Sequence, residues 1–237
     1  MQLKRSIVNT SIDIAREVIR HFGVTLPGFS EWSPEEWEKV GEEYNEIRTC
    51  MMGWDVTDFG SEDFYNIGRV LFTLRNGRMG NKDYPKEYAE KLLIDPENQR
   101  APAHYHLNKR EDLICRDGGN ILVQVSKADS DGQPSGKDFT IQVDGRRIMM
   151  RPNGIIRLKP GMSVCIPPRT IHQFWGEEGT GWKLDGIGYT ISSEISSVCD
   201  DWNDNVFIAG PASRFPMIEE DEPRRYYLCH EYPEILP

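Results

Sequence analysis

The chain is short of positive charge and of long apolar runs, and each shortage removes a class of function. Its 28 Lys and Arg residues are outnumbered by 38 Asp and Glu, for a net charge of -10. Affinity for a nucleic-acid backbone comes from cations that displace counterions, and no basic cluster overrides the acidic balance. A nucleic-acid partner is therefore not expected. Apolar runs such as Val70-Leu71-Phe72 fall far short of the roughly 20 residues that a membrane-spanning helix needs, so no membrane partner is expected either. The N-terminal Met1-Gln2-Leu3-Lys4-Arg5 starts basic, but Asn9, Asp13, Arg16 and Glu17 interrupt the apolar stretch of a signal peptide. The expected location is the cytoplasm. Cys50, Cys115, Cys165, Cys199 and Cys229 contain no Cys-x-x-Cys pair, and they read as buried free thiols.

What is present is a change of periodicity along the chain. Ile12, Ala15, Val18 and Ile19 recur at the three-and-four spacing of one helix face, and Gly23 supplies a stop. A second helix is predicted from Ser33, with Pro34 in its first turn, Glu36 completing a capping box, and Trp37, Val40 and Tyr44 as its apolar stripe. From about Phe59 short strands take over. Residues 69–75 are followed by the turn signal Asn76-Gly77, and further strands are expected at 91–94, 120–125, 139–143, 155–158, 162–166 and 188–191. Clusters such as Asp129-Ser130-Asp131-Gly132 and Lys159-Pro160-Gly161 separate them. Many short strands without long helices between them point to an antiparallel sandwich or barrel. The expected organisation is one domain, with a helical segment at 1–58, a β-barrel core at 59–198 and a C-terminal arm at 199–237.

Three of the five histidines belong to one pattern, His104-x-His106-x4-Glu111, with His172 about sixty residues later. Residues two apart on a strand share a face, so His104 and His106 would point into one cavity. Four intervening residues let Glu111 turn back to the same point, and His172 would arrive from a neighbouring strand. Three neutral imidazoles and a carboxylate suit a divalent transition ion such as Mn, Fe, Co, Ni or Zn, with positions left for substrate oxygens. His21 and His230 stand outside the pattern and read as structural or solvent-facing.

With Gly118 included, His104-x-His106-x4-Glu111-x6-Gly118 resembles the first cupin motif, and Gly161-x5-Pro167-x4-His172 resembles the second. The resemblance implies a mainly β fold, a cupin jelly-roll β-barrel with N-terminal helices and a metal at its centre. Asn98 stands where the first motif usually opens with Gly, a mild departure because Asn tolerates left-handed backbone. Arg169 and Gly176 replace the usual Gly and Asn of the second. Segments including Trp32-Ser33-Pro34-Glu35-Glu36-Trp37, residues 53–60, residues 71–77, residues 111–120 and Ile218-Glu219-Glu220-Asp221-Glu222-Pro223 are similar to those of the D-lyxose isomerases. That likeness runs from about residue 30 to the end. It implies a Mn2+-dependent aldose-ketose isomerase, with Co2+, Fe2+ or Zn2+ as alternative ions, acting on the monosaccharides D-lyxose and D-xylulose and on the related pair D-mannose and D-fructose.

Moving a hydrogen between C1 and C2 needs a general base that is not a metal ligand. Glu194 is the first candidate: it follows a predicted strand, and Glu194-Ile195-Ser196 resembles a stretch of the family. Asp185, Asp200 and Asp201 are the substitutes. Lys109 and Lys91 are candidates to protonate O1 and O2 or to hold sugar hydroxyls, Lys91 at a position where the family carries a lysine. Arg214 offers a fork of donors to vicinal hydroxyls, and Trp175 a wall for the sugar or a core side chain. A cupin dioxygenase or oxidase, or a sugar-binding cupin without turnover, would use the same ligand set. A homodimer is the default assembly.

Overall fold

The computed structural model describes residues 2–209 and 212–233. Parts of the C-terminal arm expected at 199–237, namely residues 210–211 and 234–237, lie outside the described residues. Helix α1 (Arg5–His21) is followed by two short helices, α2 (Pro34–Trp37) and α3 (Asn45–Thr49). Strands β1 (Gly53–Thr57), β2 (Arg69–Arg75), β3 (Tyr88–Pro96), β4 (His104–His106), β5 (Glu111–Asp117), β6 (Ile121–Lys127) and β7 (Phe139–Val143) come next. They continue with β8 (Arg146–Met150), β9 (Gly154–Leu158), β10 (Ser163–Ile166), β11 (Thr170–Gly176), β12 (Trp182–Leu184), β13 (Ile187–Ser197) and β14 (Asn205–Phe207).

Among the described residues these strands form two antiparallel sheets. The larger runs β1-β2-β3-β13-β5-β10-β7-β8 with β12 on β13, and the smaller runs β14-β4-β11-β6-β9. Facing each other, they make the barrel expected from the pattern of short strands, in the jelly-roll form that the cupin resemblance implies. Alternation along the strands divides the apolar residues between two cores. Leu71, Leu93, Leu113, Val123, Ile156 and Phe174 fill the space between the sheets. Val70, Phe72, Leu92, Ile94 and Ile191, on the opposite face of the larger sheet, meet Val8, Ile12, Ala15 and Val18 of α1. The three-and-four stripe thus has its partner, and each aliphatic side chain it buries contributes about 1.5–3 kcal/mol. This double covering explains why β2 and β3 read as near-continuous apolar runs.

The arm after β14 returns to α1. Arg5, fully buried, donates to Glu220 at 2.9 Å and to Glu231 at 2.5 Å. The Glu219 N–H donates to the Leu3 carbonyl at 2.8 Å, and the Arg5 N–H to the Glu219 carbonyl at 2.8 Å.

Three expectations change. Glu36 does accept from the Ser33 N–H at 2.8 Å, but the helix ends at Trp37 instead of running on to Tyr44. Trp37 is drawn into a cluster with Trp32, Tyr44 and Tyr232, at ring-centroid distances of 5.0, 6.4 and 4.4 Å. Arg48 takes the Val40 and Gly41 carbonyls at 3.2 and 2.9 Å, so the chain turns there. Asn76-Gly77 makes no tight hairpin, because β3 resumes only at Tyr88. The buried Asn76 amide instead donates to the Cys50 and Cys199 carbonyls at 3.0 and 3.1 Å. Finally, β1 lies within the stretch expected to be helical, and residues 53–57 are wholly buried between β2 and the arm.

Candidate metal centre

Strand β4 is three residues long and places two side chains of the centre. Its pleat turns His104 and His106 to one face and Tyr105 to the other. Antiparallel pairing with β11 sets His172 directly opposite His104. Their ring centroids are 4.4 Å apart, and those of His106 and His172 are 5.3 Å apart. One nitrogen from each of the three lies within 4.8 Å of the others. Glu111 opens β5 on the facing sheet, with Oε1 2.9 Å from His172 Nε2 and Oε2 3.4 Å from His106 Nε2. The four predicted residues therefore converge from both sheets.

Their protonation suits a cation. The Nδ1 atoms of His104 and His172 lie 2.9 Å from the carbonyls of Pro102 and Thr170. Donation from Nδ1 leaves each Nε2 with a free lone pair. Burial holds the His104 imidazole well below its ordinary pKa, with His172 and His106 adding to the shift. Burial and then the Lys109 ammonium push His106 down as well. Burial alone would raise the Glu111 carboxyl, but Lys109, His106 and His172 hold it well below the usual carboxylate range. Both ring nitrogens of His106 and both Glu111 oxygens are buried without a well-aligned hydrogen bond. Three imidazoles, those of His104 and His106 held toward the neutral form, and an ionised carboxylate at one point are a donor set that fits a divalent transition ion.

Two of the three departures from the cupin motifs, both at positions where glycine is usual, keep a glycine-like backbone. Asn98 and Arg169 adopt φ of 68° and 58°, the left-handed conformation that glycine would otherwise supply. Arg169 is held there by donation to the Asp129 carbonyl at 2.5 Å.

A cavity of about 50 Å³ opens beside His104 and His106. Glu194 lines it from β13, in register between Lys91 of β3 and Leu113 of β5. The Lys109 ammonium lies 2.5 Å from Glu111 Oε2 and 3.5 Å from Glu194 Oε2, linking the ligand set to the candidate base. Lys91 donates to Asp201 at 2.9 Å. Burial would lower the Lys91 pKa, yet Asp201 holds it above its ordinary value. Lys91 and Arg214 in turn hold Asp201 well below its own, against burial. Arg214 donates from Nη2 to Asp55, stands 3.9 Å from Asp201, and keeps a buried Nη1 without a partner.

Three candidates fall outside. Trp175 follows His172 by an odd number of residues, so the pleat turns it away from the cavity. It is buried under Arg100, whose guanidinium stands 3.7 Å from its ring centroid. Phe174, on the His172 face, supplies the apolar wall instead. Asp185 is exposed in the turn joining β12 to β13, at φ 50°. Asp200 accepts from the N–H groups of Trp202 and Asn203 at 3.2 and 3.1 Å, closing a turn, and does not line the cavity. Sequence reasoning also missed Phe59, Phe207 and Arg69, which complete the lining. No motif marks them; they meet because the two sheets face each other, with Arg69 on β2 of the larger, Phe207 on β14 of the smaller and Phe59 on the loop after β1.

On the far side of Asp201 lies a groove of about 800 Å³, lined by Arg48, Arg78, Cys199, Trp202, Cys229 and His230 among others. Asp201 lines both spaces.

A sequence model of the D-lyxose isomerase family matches residues 3–232. A D-lyxose/D-mannose isomerase of Serratia proteamaculans is 43% identical over 231 residues, covering 97% of this chain and 98% of that protein. Its namesake from Escherichia coli O157:H7 is 41% identical over the same shares of each chain. Among solved structures, an L-ribose isomerase of Geodermatophilus obscurus superposes with a TM-score of 0.60 at 14% identity, covering 92% of this chain and 99% of that one. At that identity the likeness concerns the fold.

Proposed function

The chain belongs to the D-lyxose isomerase family, and we propose that it interconverts D-lyxose and D-xylulose, with D-mannose and D-fructose as a second pair. The reading assigns His104, His106, Glu111 and His172 as the residues that would hold a divalent ion, Mn2+ in the first place and Co2+, Fe2+ or Zn2+ as substitutes. When bound, such an ion supplies Lewis acidity that acidifies the C–H bond beside the sugar carbonyl and stabilises the enediol charge.

The chain's own residues then divide the proton work. The Glu194 carboxylate takes the proton from C2 of the aldose and returns it to C1, giving the ketose. Lys109 stands between Glu111 and Glu194 and moves the second proton from O2 to O1. Lys91 and the free Nη1 of Arg214 hold hydroxyls farther along the sugar, and Phe59, Phe174 and Phe207 keep water from the reacting carbons. The residue that this cavity shares with the outer groove is Asp201. The same reading takes the protein to be a cytoplasmic homodimer, which sedimentation of the full chain would test.

One observation carries the assignment: a non-ligand carboxylate, Glu194, is 7% exposed and tied through Lys109 to the ligand cluster. The test is the Glu194→Gln variant, loaded with Mn2+ and given D-lyxose. D-xylulose formation should fall by about 10²–10⁴-fold while metal content is retained, and wild-type activity should vanish on chelation. Undiminished turnover in the variant would remove Glu194 from the base role. Oxygen uptake without ketose formation would overturn the isomerase reading itself.

A further inference from the structure

A second cluster of metal-ligating side chains lies outside the His104–His106–Glu111–His172 centre. Asp55 of β1 and the consecutive Cys229 and His230 of the arm present a carboxylate oxygen, a sulfur and a ring nitrogen within 4.8 Å of one another. Backbone pairing fixes the approach: the Cys229 N–H donates to the Trp54 carbonyl at 2.7 Å, and Trp54 bridges Leu228. Asp55 and Cys229 are 1% and 3% exposed. Within this cluster two polar atoms are buried with no hydrogen-bond partner, Asp55 Oδ1 and His230 Nδ1. Leaving such buried atoms unmet is unfavourable, and both belong to groups that ligate metals.

From this geometry we propose that Asp55, Cys229 and His230 form a separate site for a borderline-soft divalent ion of the zinc class. Carboxylate, thiolate and imidazole are all zinc ligands, and a fourth position filled by water completes a tetrahedron. Cys229 and His230 line the groove of about 800 Å³, which gives an ion and its water a route in. Arg214 does not compete for the free oxygen. It donates to Asp55 Oδ2 and leaves Oδ1 to the ion, the outer hydrogen bond that ligating carboxylates usually keep. Its charge is also answered by Asp201, 3.9 Å away. Phe215 packs on the His230 ring, centroids 4.5 Å apart, and holds the imidazole in place. Binding exchanges the Cys229 S–H proton for the metal–sulfur bond and releases that proton to solvent, so the two ligand charges neutralise the ion.

Cobalt distinguishes this site from the first centre, which contains no sulfur. Metal-free full-length protein is titrated anaerobically with Co2+, following bound metal and the near-ultraviolet sulfur-to-cobalt charge-transfer band. The expected result is two equivalents bound and a band that saturates with one of them. Cys229→Ser should abolish the band and one equivalent. His106→Ala should empty the first centre and keep the band. Should Cys229→Ser fail to fold, His230→Gln is read instead, with at least a roughly tenfold loss of apparent affinity at the band. A wild-type protein with a titratable Cys229 thiol and no band at excess Co2+ would overturn the proposal, as would a band of full intensity in Cys229→Ser. Loss of the non-sulfur equivalent alone would count only against the first centre.

Discussion

Asp201 provides the sharpest test of the electrostatics around the cavity. Its carboxylate lies 2.9 Å from the Lys91 ammonium, with side-chain exposures of 15% and 4%. At an effective permittivity near 20 the attraction is about 6 kcal/mol. Desolvation of both ions offsets much of it, yet removing one partner of such a pair leaves the other charge buried, at a cost of about 3–5 kcal/mol. Lys91 would retain Glu194 across the strand pair and Arg214 would retain Asp55. The lower end, about 3 kcal/mol, is therefore expected for Asp201→Asn. In a domain of this length that lowers Tm by roughly 6–12 °C. Lys91→Met should cost a comparable amount, since Arg214 at 3.9 Å only partly replaces the lost ammonium. The double variant, which removes both charges, should be more stable than the sum of the single losses predicts by about 2–3 kcal/mol. Urea unfolding of the four proteins in chelator, which holds metal linkage constant, measures the cycle. A loss below about 1 kcal/mol for Asp201→Asn, with coupling under about 0.5 kcal/mol, would refute the buried-pair account.

Replacing the fully buried Arg5 with Met should destabilise the protein by about 3 kcal/mol, because Glu231 loses its guanidinium, and a urea midpoint equal to wild type would contradict this. Trp175→Phe should leave KM for D-lyxose unchanged, whereas Phe174→Ala should raise KM and cost about 3–5 kcal/mol of stability; the opposite ranking would return Trp175 to the sugar. In metal-free protein, burial depresses the folded-state pKa of His104 and His106, so below about 6.5 the unfolded chain binds protons that the folded chain does not. Stability is then fully present above that pH and lost as it falls toward the depressed values, and identical urea midpoints at about pH 7.5 and 5.5 in chelator would exclude the effect.

The shared face of His104 and His106 was readable because its information is local: an i, i+2 pair on a strand shares a face wherever the strand sits. The same rule, applied to the odd offset from His172 to Trp175, would have turned the indole away and named Phe174. The stripe of α1 was legible for a similar reason. The lining of the cavity was not, because Arg69 of one sheet and Phe174 and Phe207 of the other meet only when strands far apart in the chain have paired and the two sheets face each other. Lys91, Asp201 and Arg214 were each visible as charged residues, but which of them pair is a property of the closed barrel. Local propensity misled where tertiary contacts outweighed it. Asn76 spends its amide bridging two loops instead of closing a hairpin, and Trp37 ends its helix to join an aromatic cluster.

The clamp of Arg5 on Glu220 and Glu231 bears on the order of folding. Helix α1 is encoded well before the arm, and the carboxylates that neutralise Arg5 are more than 200 residues downstream. Tyr226 and Leu228, which share the core beneath the helix, are equally late in the chain. During synthesis the helix therefore emerges with an apolar stripe and a cation whose partners do not yet exist, and closing so long a loop belongs to the slow end of chain collapse. Hairpins such as β1–β2 and β7–β8 can pair as they appear, whereas β13, which lies between β3 and β5, and the contact of α1 with the arm must both wait for chain made later.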